Sequence, residues 1–241
     1  MKTKIQDMTS GSPGRLIILF AIPLMLGNIC QQLYTMVDTM VVGQIAGVEA
    51  LAALGAVDFL MWVVTGISTG LTQGFSILMA QNFGAEDHRG LSRSIGTSVT
   101  LCVISVAVLL LGSQLAAEPV LRLLNTPADI MDGALLYLRI VFGGIPVIMA
   151  YNLLASILRA LGDSKTPLYA MIVAALINVV LDLLFVMGFH WGIAGAAIAT
   201  LFSQCLSFCI MLFFFLSGKS TVRISIRSVS RKPGVYWTII K

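Results

Sequence analysis

Apolar residues run through this chain in six long stretches, about 16–42, 51–79, 91–115, 134–158, 168–189 and 193–216, separated by short polar segments. Each exceeds the roughly 20 residues that an α-helix needs to cross a hydrocarbon core, and several are long enough to tilt. The pattern predicts an all-α integral membrane protein with six transmembrane helices. A leader over 1–15 precedes the six-helix body, 16–216, and a basic tail follows over 217–241. The leader carries Lys2, Lys4 and Arg15 ahead of an apolar run, as a signal peptide does. That run continues to about residue 42 and holds Pro23, Gln31, Gln32 and Asp38, with no short apolar core followed by a small-residue cleavage site. A retained first helix is expected.

Composition excludes a soluble globular domain: 58% of residues are hydrophobic and 11% charged, with a mean hydropathy of +0.95. Orientation follows from the basic residues at the helix ends. With the N-terminus inside, only Arg122 and Arg139 of the 15 Lys and Arg fall outside, so both termini are expected in the cytoplasm and the protein in the cell membrane. The net charge of +4 is then explained by an anionic leaflet, and no nucleic-acid partner is expected.

Against this apolar background the polar positions carry the chemistry. Asp38, Asn152, Asn178, Asp182 and Thr200 lie inside spans, and a carboxylate at the middle of a membrane helix costs about 2.5–3.5 kcal/mol on insertion scales, which makes it a functional-site hypothesis. On the first helix Pro23, Gly27, Gln31, Tyr34 and Asp38 follow one another at helical spacing and fall on one stripe. Pro23 has no N–H for the carbonyl of Leu19 and bends the helix on that same face. Asn178 and Asp182 are four apart and share a face of the fifth helix. Asp182 and Thr200 stand at about equal distance on either side of the 189–192 turn, roughly 13 Å below the outer surface. Two carboxylates brought together in low dielectric repel each other and lack solvation, so they take up a proton or Na⁺; Asn and Thr add the oxygen ligands that hard cations choose.

Other positions read as structural. Asp58 is expected at an interface, His88 in a solvated loop and His190 at a membrane surface. Cys30, Cys102, Cys205 and Cys209 lie in apolar spans, where a thiol packs as a small hydrophobe; the pair at 205 and 209 is expected in the core rather than on a metal. In the second inner loop Gly162 suits a helix C′ position, Asp163 or Ser164 a cap and Pro167 a first turn. The stretch 118–131 alternates like a short helix lying on the outer surface. With no Ser–His, Cys–His or HExxH arrangement, no enzyme is expected.

Pro23, Gln31, Tyr34, Val37-Asp38-Thr39 and Gly43, then Ala80-Gln81 with Gly84-Ala85, Arg159 with Gly162-Asp163 and Thr166-Pro167, and Asn178 with Asp182 together resemble the multidrug and toxic compound extrusion (MATE) family of the MOP superfamily. The resemblance implies one lobe of a cation-coupled antiporter that exports drugs or toxic amphipathic compounds by alternating access. It implies cation coupling at Asp38, Asn178, Asp182 and Thr200, with H⁺ or Na⁺ as the ion and no other cofactor or metal. Gln31, Tyr34, Tyr137 and Asn152 are implied near the substrate cavity, and Pro23 as the conformational hinge. The family has about twelve helices, and the segment 235–241 reads as the entry to a seventh, so an N-terminal fragment is expected, its partner a second six-helix lobe or a second copy. The alternative is a non-transporting assembly lobe, or a flippase-like relative handling a lipid-linked substrate. The absence of a basic residue mid-span speaks against a lipid pyrophosphate.

Overall fold

A computed structural model describes residues 13–216, and every element in it is helical. The helices are α1 (Pro13–Val41), α2 (Val48–Gly84), α3 (His88–Leu123), α4 (Ala128–Gly143), α5 (Ile145–Ala160), α6 (Lys165–Asp182) and α7 (Gly192–Phe214). Two of them end in wider π-helical turns, α1 through Val42–Ala46 and α6 through Leu183–Gly188. Five spans are continuous, and α4 with α5 forms a sixth that is bent by 47°. This is the multi-pass, six-span architecture that the hydropathy pattern predicts. Residues 1–12 of the leader, and all of the tail with its seventh-helix entry, lie outside the described residues.

The bend has a local cause. Pro146 offers no N–H to the carbonyl of Phe142, and its ring crowds that carbonyl, so the ladder is interrupted at this turn; just before it the Gly144 N–H is shared between Ile140 O at 3.2 Å and Val141 O at 2.9 Å. Caps set the other ends. The Asp87 carboxylate accepts the Arg89 and Gly90 N–H groups at 3.1 and 2.9 Å and starts α3. Asp163, rather than Ser164, does the same for α6, accepting the Lys165 and Thr166 N–H groups at 3.1 and 3.0 Å, after Gly162 has reversed the chain at φ +83°. The expected surface helix over 118–131 does not form. Residues 118–123 complete α3, and 128–131 begin α4 after a turn at Asn125, φ +55°; alternation of apolar and charged residues suits the ends of two long helices as well as one lying flat.

The core lies among α2, α3, α4, α5 and α7, with Met79, Leu91, Leu121, Leu138, Phe142 and Met149 sealed from solvent. α1 sits to one side, packed chiefly along α6, and leaves Ile17, Met25 and Leu33 exposed. Cys205 and Cys209 are exposed on the outside of α7, so the expected core packing holds for Cys102 and not for this pair. Asp58, His88 and His190 are exposed.

The bent span meets α7 at a notch. A Cβ on Gly144 would fall 1.9 Å from Leu201 Cδ2 and 3.0 Å from its Cγ. Gly144→Ala should therefore cost about 1–3 kcal/mol as an overpacking defect, and Leu201→Ala in the same chain should return most of it. Thermal unfolding of the two single variants and the double variant checks this; additive losses would mean that the notch is not the cause.

Candidate functional site

The site forms where α1, α6 and α7 converge, near the end of the bundle that carries the 189–191 loop. α6 presents Asn178 and Asp182 one turn apart, 1% and 0% exposed, and α1 presents Asp38, 8% exposed, toward the same place. The Asp38 and Asp182 carboxyls interact directly. When both are charged each is only an acceptor, so neither satisfies the other, and Asp38 Oδ1 and both Asp182 oxygens lack a hydrogen-bond donor. Both polar atoms of the Asn178 amide are also buried and unpartnered. No Lys or Arg among the described residues lies within ion-pair distance of either acid.

So many orphaned polar atoms at one point demand an explanation, because each buried unpaired group costs about 1–3 kcal/mol and a charged one more. Asp38, Asp182 and Asn178 offer carboxyl and amide oxygens, the donor set of a hard cation or a shared proton. The Tyr34 and Tyr137 hydroxyls stand within electrostatic range of both acids and add polar lining.

Beside the acids a small cleft has room for one or two water molecules. Asn178 and Tyr34 line it from α6 and α1, and Tyr151 from α5. The α7 wall is Thr200, Ser203, Gln204 and Ser207, and on it Gln204 Oε1 and Ser207 Oγ are buried without partners. Thr200 thus shares the cleft with Asn178 and Tyr34. Of the positions singled out from sequence, Asp38, Asn178, Asp182, Thr200, Tyr34 and Tyr137 come together. Gln31 is exposed and Asn152 half-buried on α5; neither lines the cleft. Pro23 and Gly27 are buried, and a Cβ on Gly27 would meet Met171 at 3.3 Å, so this part of the α1 stripe faces α6. Ser203, Gln204 and Ser207 were legible as a stripe, since they follow Thr200 at three, four and seven residues, a helical face.

The two acid-bearing helices share a further feature. α6 widens into its π-turn immediately after Asp182, and α1 four residues after Asp38, and the two π-turns touch. Such turns are rare and often mark functional sites. The 189–191 loop is tied down beside them: the Trp191 N–H donates to Phe185 O at 3.0 Å, and the Phe185, Phe189 and Trp191 rings stack with centroids 5.2–6.0 Å apart.

Comparison with known proteins places this geometry. Residues 23–184 match the MatE family. The chain is 36% identical over 217 residues to a probable multidrug resistance protein of Bacillus subtilis, YpnP, an alignment that covers 90% of this chain and 48% of that protein. Two solved structures, described as MATE in the straight and in the bent conformation, superpose on all of this chain and 54% of theirs, with TM-scores of 0.88 and 0.90 at 28% and 27% identity. The chain spans about half the length of the curated relatives it matches.

Proposed function

From the premise that this chain belongs to the MatE family, we propose that it is one six-helix lobe of an exporter of drugs or toxic organic compounds, driven by exchange against H⁺ or Na⁺. The observation that carries this reading is the unpartnered acid pair: Asp182 is sealed from solvent, with neither oxygen hydrogen-bonded, against Asp38. A cation entering there cancels charge that the lobe otherwise holds at a cost. Asn178 and Thr200 supply further oxygens and connect the acids to the cleft, which forms part of the wall of the cargo chamber that the second lobe completes.

Transport couples the two sites as follows. With a proton or Na⁺ on the acids, α1 draws toward α6 and the chamber between the two lobes narrows, which expels the cargo; loss of the cation lets α1 swing back. Pro23, buried against α6 and short of one backbone hydrogen bond, is the place where α1 bends. The second lobe supplies the opposing wall, and the cell membrane supplies the ion gradient.

Ethidium export, read as uptake into inverted membrane vesicles under an imposed pH or Na⁺ gradient, tests the reading and names the ion. Efflux is expected to follow one of the two gradients and to fall to background in Asp38→Asn. Pro23→Ala is expected to keep cation binding and to slow efflux, since it restores the missing N–H and stiffens the helix. Gradient-driven efflux that survives Asp38→Asn at the wild-type rate would sink the coupling role.

A further inference from the structure

The α7 wall of the cleft carries polar atoms that the acid pair does not account for. Gln204 and Ser207 line the cleft together with Asn178 of α6. Gln204 Oε1 and Ser207 Oγ are buried without partners, and so are both polar atoms of the Asn178 amide; Asn178 and Ser207 are each 1% exposed. Their neighbour Ser203 settles its hydroxyl proton on its own helix, donating to Ala199 O at 2.8 Å. Ser207 does not, and although the Tyr151 hydroxyl lies close to its Oγ, the two complete no hydrogen bond.

The donors and acceptors say what completes the set. Gln204 Oε1 can only accept, Asn178 brings two donors on Nδ2, and Ser207 brings one hydroxyl proton. None of these groups reaches another, so a molecule that both donates and accepts must stand between them. Water does both, takes about two to four polar partners, and fits a cleft with room for one or two such molecules. A cation suits the place less well, because no carboxylate lines the cleft and an ion among neutral groups in an apolar bundle has no counter-charge.

We propose that one or two ordered waters bridge Asn178 on α6 to Gln204 and Ser207 on α7, and that this bridge sets the direction in which the Asn178 amide points. The water donates to Gln204 Oε1 and accepts from Asn178 Nδ2, which leaves Asn178 Oδ1 for a cation at Asp38 and Asp182. Without the bridge the amide can turn Nδ2 toward the carboxylates, where a donor competes with the cation. Gln204 and Ser207 are thereby positioning residues. That role rests on the reading of the acids as the cation site, and the waters do not.

A lipidic-phase crystal structure of the chain, at a resolution that shows solvent, reads the bridge. Water is expected at about 2.7–3.2 Å from Asn178, Gln204 and Ser207. Direct bonds among the three side chains, an empty cleft, or an anomalous signal there from Rb⁺ soaked in place of Na⁺ would overturn it. Thermal unfolding across Na⁺ and H⁺ concentrations reads the positioning role. Gln204→Leu should need about tenfold more cation for half of the stabilisation, as removal of a group that orients an ion's ligand does. Without cation it should melt at the wild-type temperature or above, since a buried acceptor goes together with its need for a donor. Ser207→Ala should shift the response in the same direction, and Ser207→Thr, which keeps the hydroxyl, should restore it. A Gln204→Leu variant that melts lower at every concentration with an unchanged cation midpoint would reduce Gln204 to a packing contact and overturn the role. A wild type that answers to neither ion overturns the coupling reading and the positioning role together, and the crystal then decides the waters alone.

Discussion

Asp182→Asn is expected to melt higher than the wild type in Na⁺-free alkaline buffer, and to lose the stabilisation that Na⁺ or acidification confers on the wild type. The substitution keeps the shape of the side chain and removes one of two charges held against each other without a donor. An unpaired buried group is worth about 1–3 kcal/mol, and that is the expected gain in the absence of a cation. The same change deletes the charge that a cation answers. Binding that depends on a buried charge partner loses about 2–5 kcal/mol when one partner is removed, so cation affinity should fall by at least about 30-fold. Because a ligand that binds only the folded state raises stability by mass action, thermal unfolding of the purified chain across Na⁺ concentrations and pH reads both effects without requiring transport. A wild type whose melting is indifferent to both ions, or an Asp182→Asn variant that still responds like the wild type, would show that the acids hold no cation.

Gly195→Val should produce the largest packing defect near the site. A Cβ at this position of α7 would stand 3.1 Å from Phe185 Cβ and 3.2 Å from the Phe185 carbonyl carbon and oxygen. Backbone cannot turn aside as a side-chain tip can, so α7 must move away from the π-turn that follows Asp182. We expect a loss of about 1–3 kcal/mol, together with weaker cation binding, because Thr200 lies five residues further along the displaced helix. Gly195→Ala should show the same signs at smaller size. Crosslinking between cysteines introduced on α6 and α7 checks the displacement; unchanged crosslinking with unchanged cation response would place the tolerance of α7 elsewhere.

Much of this was written in local features. Six apolar runs became six spans, Asp87 and Asp163 capped helices as short polar residues do, and Gly162 took the positive φ that ends α5. Asn178 and Asp182 share a face because they are four apart, and that holds in any helix. The exposed Gln31 shows where such logic stops. It sits on the spacing that joins Pro23 to Asp38, yet α1 contacts α6 along only part of that stripe, and Gln31 faces outward. Gln204 shows the converse, an unremarked amide drawn into the cleft wall by the neighbours of α7.

Hydrophobicity along the chain, through the transfer of side chains and backbone into hydrocarbon, by itself determined the membrane class, the number of spans and the residues whose burial needs a reason. Which faces meet was decided only by the packed helices. Lipid tails and protein interior are equally apolar, so a membrane helix carries little asymmetry to say which side turns inward, and close fit, small residues and polar contacts choose instead. That choice set Asp38 against Asp182 and seated Leu201 in the Gly144 notch.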